Sequence, residues 1–304
     1  MENVWKGIPQ FPHFKDLSLE EKPFLDMAFT QSPPVISEFT FTNLFIWRHA
    51  YHLKISCFQN FICLLSDNGG KSFFFPPIGE GDMIKCYRML FQFLEERGVS
   101  KKITRVPEIV WAQIDWKSEG FVAELDRDQS DYIYLTQDLI QLQGRKYHRK
   151  RNHIKQFKDK YSYQYIPLTS DWIPECLQLE TGWCDLRHCE DTPGLANESI
   201  AIKEAFTHFE TLGVKGGAIL IDGKLEAFTL GESLNRDTVV IHIEKANPTY
   251  EGLYPMINQA FLEHQWSDYT YVNREQDLGE EGLRKAKESY FPHHMAHKYI
   301  VTPE

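Results

Sequence analysis

The sequence predicts an α/β protein with mixed sheets, built as a tandem pair of units that share one plan. Three observations lead there. The chain has 304 residues, 42% hydrophobic and 14% aromatic, enough for two packed cores at roughly 100–200 residues per domain. Each half runs helices first, an antiparallel meander next, and strand–helix units last. From Gly217 onward the order is strand, strand, strand, helix, strand, helix, strand. The division falls at residue 137, giving units 1–137 and 138–304. No residue-level repeat accompanies the repeated order of elements.

In the first unit Leu17–Thr30 reads as an amphipathic helix, with Ser18 as N-cap and Glu21 completing a capping box. Pro33 and Pro34 stop it. The aromatic run Phe39–Trp47 is followed by strands at Tyr51–Cys57, Phe61–Ser66 and Phe73–Pro76, with Asp67-Asn68-Gly69-Gly70 as a turn. Met83, Tyr87, Leu90, Phe91 and Leu94 mark a helix over Asp82–Arg97 with Gly98 as its C-cap. Val106–Ile114 and Tyr132–Leu135 are shorter strands.

The second unit opens on a long basic helix, Gln143–Lys160. A strand at Tyr163–Pro167 and helices at Ile173–Trp183 and Ile200–Leu212 follow. The meander is Gly217–Ile221, Leu225–Glu232 and Thr238–Ala246, turning at Asp222-Gly223. Tyr254–Gln265 (helix), Tyr269–Glu275 (strand), Gly279–Tyr290 (helix) and Met295–Val301 (strand) complete it.

A net charge of -10 excludes a global attraction to polyanions, so such contacts need a local patch. Met1–Gln10 has no basic segment followed by an apolar run, and no stretch nears the roughly 18 apolar residues of a membrane span. A soluble, cytoplasmic protein is expected. The six cysteines fit free thiols in a reducing compartment. Cys184, His188 and Cys189 lack the paired spacing of a zinc site, so no metal is expected.

Three segments carry candidate chemistry. In Thr238–Asn247 strand alternation sets Val239, Ile241, Ile243 and Lys245 on one face, and Val240, His242, Glu244 and Ala246 on the other. Lys245 then closes an apolar row where core meets cleft; a snorkelling lysine is the plainer account. The turn Pro248–Tyr254 precedes a helix and offers free N–H groups to an anion, with Tyr250 and Tyr254 beside it. Tyr271–Tyr290 is dense in hydrogen-bonding groups. Asn273, Arg274, Glu275 and Asp277 follow a strand end, and Asp277 is placed to cap the next helix, which carries Arg284, Lys287 and Tyr290. Finally, Gly144–Lys160 holds eight Lys and Arg residues against Asp159 alone. Tyr147, Ile154, Phe157 and Tyr161 form its apolar stripe, leaving Arg145, Lys146, His148, Arg149, Lys150, Arg151 and Asn152 as a surface for a polyanion such as tRNA, or for a phosphate-bearing ligand.

Leu142-Gln143-Gly144-Arg145-Lys146 through Lys150-Arg151-Asn152, Glu244-Lys245-Ala246, Tyr271-Val272-Asn273-Arg274-Glu275 with Asp277-Leu278-Gly279, and Leu283-Arg284-Lys285-Ala286-Lys287 together resemble a bacterial family. Its members are related to the C-terminal catalytic domain of phosphatidylglycerol lysyltransferases. The resemblance implies a tandem pair of GNAT-like acyltransferase domains and transfer of an aminoacyl group from aminoacyl-tRNA to an amine or hydroxyl. By that analogy Lys245 stabilises an oxyanion. The chain lacks the membrane-embedded portion of those enzymes, which leaves a lipid acceptor in question.

The reading is therefore an acyl- or aminoacyltransferase requiring no cofactor, with Lys245, Arg274, Glu244 and Glu275 as catalytic candidates. His242 is a further base candidate. Two alternatives stand beside it: a transferase using acetyl-CoA or another acyl-CoA, and a non-catalytic protein that binds an anionic ligand or RNA.

Overall fold

The computed structural model describes residues 5–304, and the chain falls into two compact units. The first takes the residues through Asp131 together with 276–279 and 296–304. The second takes 132–275 and 280–295. The boundary thus lies a few residues before 137, and the last segment of chain belongs with the first unit.

In the first unit β1 (Lys15–Asp16), α1 (Lys22–Gln31), α2 (Phe41–Ile46) and α3 (Arg48–Tyr51) precede β2 (Leu53–Phe58), β3 (Phe61–Ser66) and β4 (Phe73–Phe74). Then come α4 (Met83–Glu96), β5 (Ile103–Pro107), α5 (Glu108–Trp111) and β6 (Phe121–Leu125). The Ser18–Glu21 capping box forms, with Ser18 N and Oγ each 2.8 Å from Glu21 Oε2. On α4 the stripe Cys86, Tyr87, Leu90, Phe91, Leu94 is buried against Phe61, Phe74, Ile103 and Trp116. Each such side chain contributes about 1.5–3 kcal/mol of burial. The strand expected at Val106–Ile114 ends at Pro107, and α5 follows. The sequence reading missed β6.

The second unit comprises β7 (Asp131–Leu135), α6 (Thr136–Gln141), α7 (His148–Lys160), β8 (Tyr163–Pro167), α8 (Ile173–Arg187), α9 (Pro193–Thr207) and α10 (Phe209–Leu212). The meander β9 (Lys215–Ile221), β10 (Lys224–Ser233) and β11 (Thr238–Ala246) leads to α11 (Leu253–Gln265), β12 (Tyr271–Asn273), α12 (Glu281–Glu288) and β13 (His294–Ala296). A last strand, β14 (Lys298–Pro303), follows.

Each sheet has seven strands: β1-β2-β3-β4-β5-β14-β6 and β13-β7-β12-β11-β10-β9-β8. The strand expected over Met295–Val301 is therefore two strands in different sheets. β14 joins the first sheet because Lys298 is an internal ion-pair partner there. Its Nζ lies 2.6 Å from both Asp131 Oδ1 and Glu38 Oε2, and all three side chains are buried.

Two features of the second sheet position the site. β11 and β12 run parallel but pair only over Thr238↔Tyr271, Val239↔Val272 and Val240↔Asn273. Beyond Val240 the pairing ends and β11 continues to Ala246. There β11 also bulges: Gly231 pairs with Ile241 and Leu230 with Ile243, leaving His242 as the extra residue. Gly231 is required opposite it, since a Cβ would lie 2.6 Å from the Val240 carbonyl oxygen.

Candidate active site

The bulge reverses the alternation read from the sequence. Val239 and Ile241 pack on Phe261 and Leu262 of α11. Past His242 it is Glu244 and Ala246 that meet α11, through Asn258 and through Leu253, Met256 and Ile257. Lys245 falls on the opposite face, beside its cross-strand partner Phe228, which packs on Phe206 of α9. It therefore does not share a face with Val239 and Ile241, because one inserted residue shifts a period of two by half. Three charged clusters result.

The first gathers at the end of β12. Arg274 Nη2 lies 3.0 Å from Glu244 Oε1, and Asn258 Nδ2 donates to Glu244 Oε2 at 3.0 Å. The guanidinium stacks 4.8 Å from the Tyr290 ring centroid and 5.9 Å from that of Tyr134. Lys150 of α7 places its Nζ 3.7 Å from the same Tyr290 ring. Burial, with repulsion from Arg274 and Arg149, lowers the Lys150 pKa to about 8. Lys287 of α12 donates to the Arg274 carbonyl oxygen. Burial holds the Tyr290 hydroxyl up at about 12, against the pull of Arg274, so it keeps its proton. Two cationic side chains, Arg274 and Lys150, thus meet on one tyrosine, with Glu244 as carboxylate and Lys287 holding the Arg274 main chain.

The second cluster is an ion triad. His242, its side chain 1% exposed, lies 2.9 Å through Nδ1 from Glu275 Oε1 and 2.8 Å through Nε2 from Glu232 Oε1. Burial lowers its pKa, but the two carboxylates outweigh that and raise it to about 9. Both ring nitrogens of His242, expected as a base candidate, are thus engaged by carboxylates. Glu275 adopts φ 57°, a left-handed conformation uncommon outside glycine. Asn273, buried, accepts from the Glu275 N–H at 2.7 Å and fixes that corner.

The third cluster surrounds Lys245, which is 2% exposed. Its Nζ lies 2.9 Å from Glu198 Oε2, 4.0 Å from Glu180 Oε2 and 3.4 Å from the Trp183 ring centroid. Burial pushes the Glu180 carboxyl up to about 7, against the pull of Lys245. Trp183 Nε1 donates to the Tyr254 hydroxyl at 3.1 Å. Lys245 and Arg274, expected at one centre, therefore occupy opposite faces of β11.

The basic segment forms α7 after a short turn, Arg145–Tyr147. Tyr147, Ile154 and Phe157 are buried as expected, and Arg145, Lys146, His148, Arg149 and Asn152 are exposed. Arg151 instead donates to the Leu142 and Gly144 carbonyl oxygens, and Lys150 turns inward to Tyr290. Arg284 is half-buried on α12. Asp277 is not the cap of that helix. α12 begins at Glu281 with Glu280 as N-cap, while Asp277 is buried, accepts from Gly279 N and pairs with Arg127 at 3.1 Å.

The Pro248–Tyr254 turn is closed rather than open. Thr249 N donates to Asn247 Oδ1, Tyr250 N to the Asn247 carbonyl and Leu253 N to the Tyr250 carbonyl. A Cβ on Gly252, at φ 85°, would lie 2.4 Å from the His153 carbonyl oxygen of α7. The Tyr250 ring packs on Tyr161. Cys184 and Cys189, read as free thiols, form a disulfide at the end of α8, where helix end and following turn bring them together.

The sequence reading missed Glu180, Trp183, Glu198, Glu232 and Asn258. It also missed a short repeat. In both units a strand parallel to its neighbour carries an arginine two residues past a paired apolar residue: Ile103-Thr104-Arg105 and Val272-Asn273-Arg274. Arg105, at φ 62°, stacks on Tyr51, Phe73 and Phe75 and pairs with Glu38 at 3.1 Å. Arg274 repeats that arrangement with Tyr134, Tyr290 and Glu244.

A family model described as "Phosphatidylglycerol lysyltransferase, C-terminal" matches residues 29–302. A crystal structure of a conserved protein of unknown function from Bacteroides thetaiotaomicron is 36% identical, covering 96% of this chain and 99% of its own, with a TM-score of 0.88. The C-terminal domain of a putative lysylphosphatidylglycerol synthetase from Agrobacterium fabrum is 13% identical over 94% of this chain and 93% of its own, at a TM-score of 0.66. L-PGS from Bacillus licheniformis is also 13% identical, over 98% and 94%, at 0.63. FemX shares the fold at 8% identity over 95% and 96%, at 0.56. Among curated proteins, one from Mycoplasmoides gallisepticum is 22% identical over 198 residues, a match spanning 64% of each chain. The architecture, two units with one seven-stranded mixed sheet each, is the fold shared with FemX and the two lysylphosphatidylglycerol synthetase structures. With nearly the whole chain matched, this protein belongs to the family of the phosphatidylglycerol lysyltransferase C-terminal domain.

Proposed function

We propose that the second unit is an acyl- or aminoacyltransferase that moves its group from an activated ester, such as aminoacyl-tRNA, to an amine or hydroxyl. The observation that carries this reading is the convergence of Arg274 and Lys150 on Tyr290, with Lys287 holding the Arg274 carbonyl, where β11 and β12 stop pairing. Attack on an ester creates an oxyanion, and fixed cations in a poorly hydrated corner stabilise that charge more than they do the neutral ester. Glu244 orients Arg274 there, and Tyr290 is a protonated hydroxyl positioned to donate to a leaving oxygen. The exposed residues Arg145, Lys146, His148, Arg149 and Asn152 supply a face for the donor's phosphates. Lys245 enters this reading as an electrostatic element on the other face of the strand. The family relationship supports transfer chemistry; the donor and acceptor are our own inference.

The test is transfer of label from charged tRNA to amine and lipid acceptors. Arg274→Gln is expected to lower the rate by about a hundredfold or more. Arg145→Ala/Arg149→Ala is expected to weaken tRNA binding and flatten its logarithmic salt dependence by roughly 1–2. Stabilisation by acetyl-CoA without tRNA binding would favour the coenzyme reading. No transfer from any ester or thioester donor would leave only binding. The closed turn at 248–254 favours the tRNA donor over coenzyme A.

A further inference from the structure

The corner between α8 and α9 is closed by a covalent link that the transfer reading does not use. Cys184 stands in the last turn of α8, and Cys189 opens the short turn Cys189–Asp191 that leads to α9 at Pro193. Between them His188 takes φ 51°, a left-handed conformation uncommon outside glycine. Asp185, Leu186, Arg187, His188 and Glu190 around the link are exposed, and Cys184 itself is half-buried. The other four cysteines, Cys57, Cys63, Cys86 and Cys176, are free thiols shut away from solvent. Of the six, this pair alone stands where a reagent in solvent can reach a sulfur.

Two observations connect the corner to buried charge. Both helices that it joins hold Lys245: Glu180 and Trp183 come from α8, and Glu198 comes from α9. The reach of two carboxylates to one ammonium group therefore depends on how α8 and α9 are joined. In addition, Cys184 Sγ lies 3.4 Å from Glu180 Oε1, one helical turn away. A sulfur bound to sulfur has no proton to donate, whereas a thiol in the same place is a donor. Glu180 is 1% exposed, so a donor gained there acts on the carboxylate with little competition from water.

We propose that the Cys184–Cys189 bridge is a thiol-dependent switch: its reduction frees the α8–α9 corner, gives Glu180 a thiol donor and loosens the hold of the two helices on Lys245. The reductant is a dithiol. Its thiolate attacks Cys184 Sγ, the more accessible sulfur, forming a mixed disulfide and breaking the bond to Cys189, which leaves as a thiolate. The second sulfur of the reductant, as its thiolate, then displaces Cys184. Two electrons pass to the pair, the dithiol departs as a cyclic disulfide, and its two protons end on Cys184 and Cys189. Without the link the corner regains conformational freedom that loop closure had removed.

The experiment compares the whole chain equilibrated with oxidised glutathione and with dithiothreitol, without denaturant. Alkylation by iodoacetamide, mapped by mass spectrometry, is expected to label Cys184 and Cys189 only after dithiothreitol. Cys57, Cys63, Cys86 and Cys176 should stay unlabelled until urea is added. Amide hydrogen exchange across α8 and α9 should be about tenfold faster in the reduced chain, with α11 unchanged. Cys184→Ser/Cys189→Ser should exchange at the faster rate in both buffers. Cys184→Ala/Cys189→Ala opens the link without supplying a donor to Glu180 and should exchange about threefold faster again, the worth of one hydrogen bond. Labelling of the pair before reduction, or only in urea, overturns the proposal. So does equal exchange of the oxidised and reduced chains, which would make the bridge a passive link. Equal exchange of the alanine double variant and the reduced wild type refutes the thiol donor.

Discussion

His242 offers the sharpest quantitative test. Its folded pKa of about 9 stands against an ordinary 6.5. At roughly 1.4 kcal/mol for each tenfold change in proton affinity, the difference amounts to about 3 kcal/mol. Because the folded value is raised, this stabilisation is fully present below pH 6.5. It declines as pH rises and is lost once the folded group itself deprotonates near 9. The perturbation is His242→Gln, which removes the titrating ring and keeps hydrogen-bonding capacity toward Glu232 and Glu275. Urea unfolding of both proteins at pH 6 and pH 9 isolates the effect. Glu180 also titrates near neutrality, but it is common to both proteins and cancels in the comparison. The wild type should lose about 3 kcal/mol more than the variant over this interval. Parallel losses in the two proteins would refute the charged triad.

Other outcomes follow from single contacts. Lys245→Met removes the partner of Glu198 and the nearest cation to buried Glu180, and should cost about 2 kcal/mol in urea unfolding. Gly252→Ala meets both a positive φ and the His153 carbonyl, so it should cost about 2 kcal/mol and be read as a lowered Tm. Cys184→Ser opens a link between residues 5 apart. Loop closure that short is worth about 2 kcal/mol, and unfolded wild type should gain two titratable thiols only after reduction.

Much of the architecture was legible because it rests on local patterns. The Ser18–Glu21 box, the α4 stripe and the bounds of β3, β8 and β11 all depend on spacing of apolar residues and caps within one element. The arrangement of the candidate residues was not legible. Lys245 sits on the unexpected face because the bulge at His242 arises from pairing with β10, which no property of TVVIHIEKA alone dictates. His242 looked like a base because Glu232 is distant in sequence and adjacent only through the sheet. β6 was missed since its alternation is weak: it has one buried residue, Phe121. The Ile103-Thr104-Arg105 and Val272-Asn273-Arg274 correspondence is three residues long, and only Arg is identical. Its meaning depends on the parallel pairing that brings both strands into register.

The placement of β14 has a consequence for the order of events during synthesis. Its sheet position is between β5 and β6, and Lys298 lies 167 residues beyond its partner Asp131. As the chain leaves the ribosome, the first sheet emerges with a gap in it, and the second sheet's strands appear before the missing one does. Asp131 waits without its cation and Glu38 keeps Arg105 alone, so the first unit closes after the second unit's chain has been made. The half that is translated first is thus the half that finishes folding last.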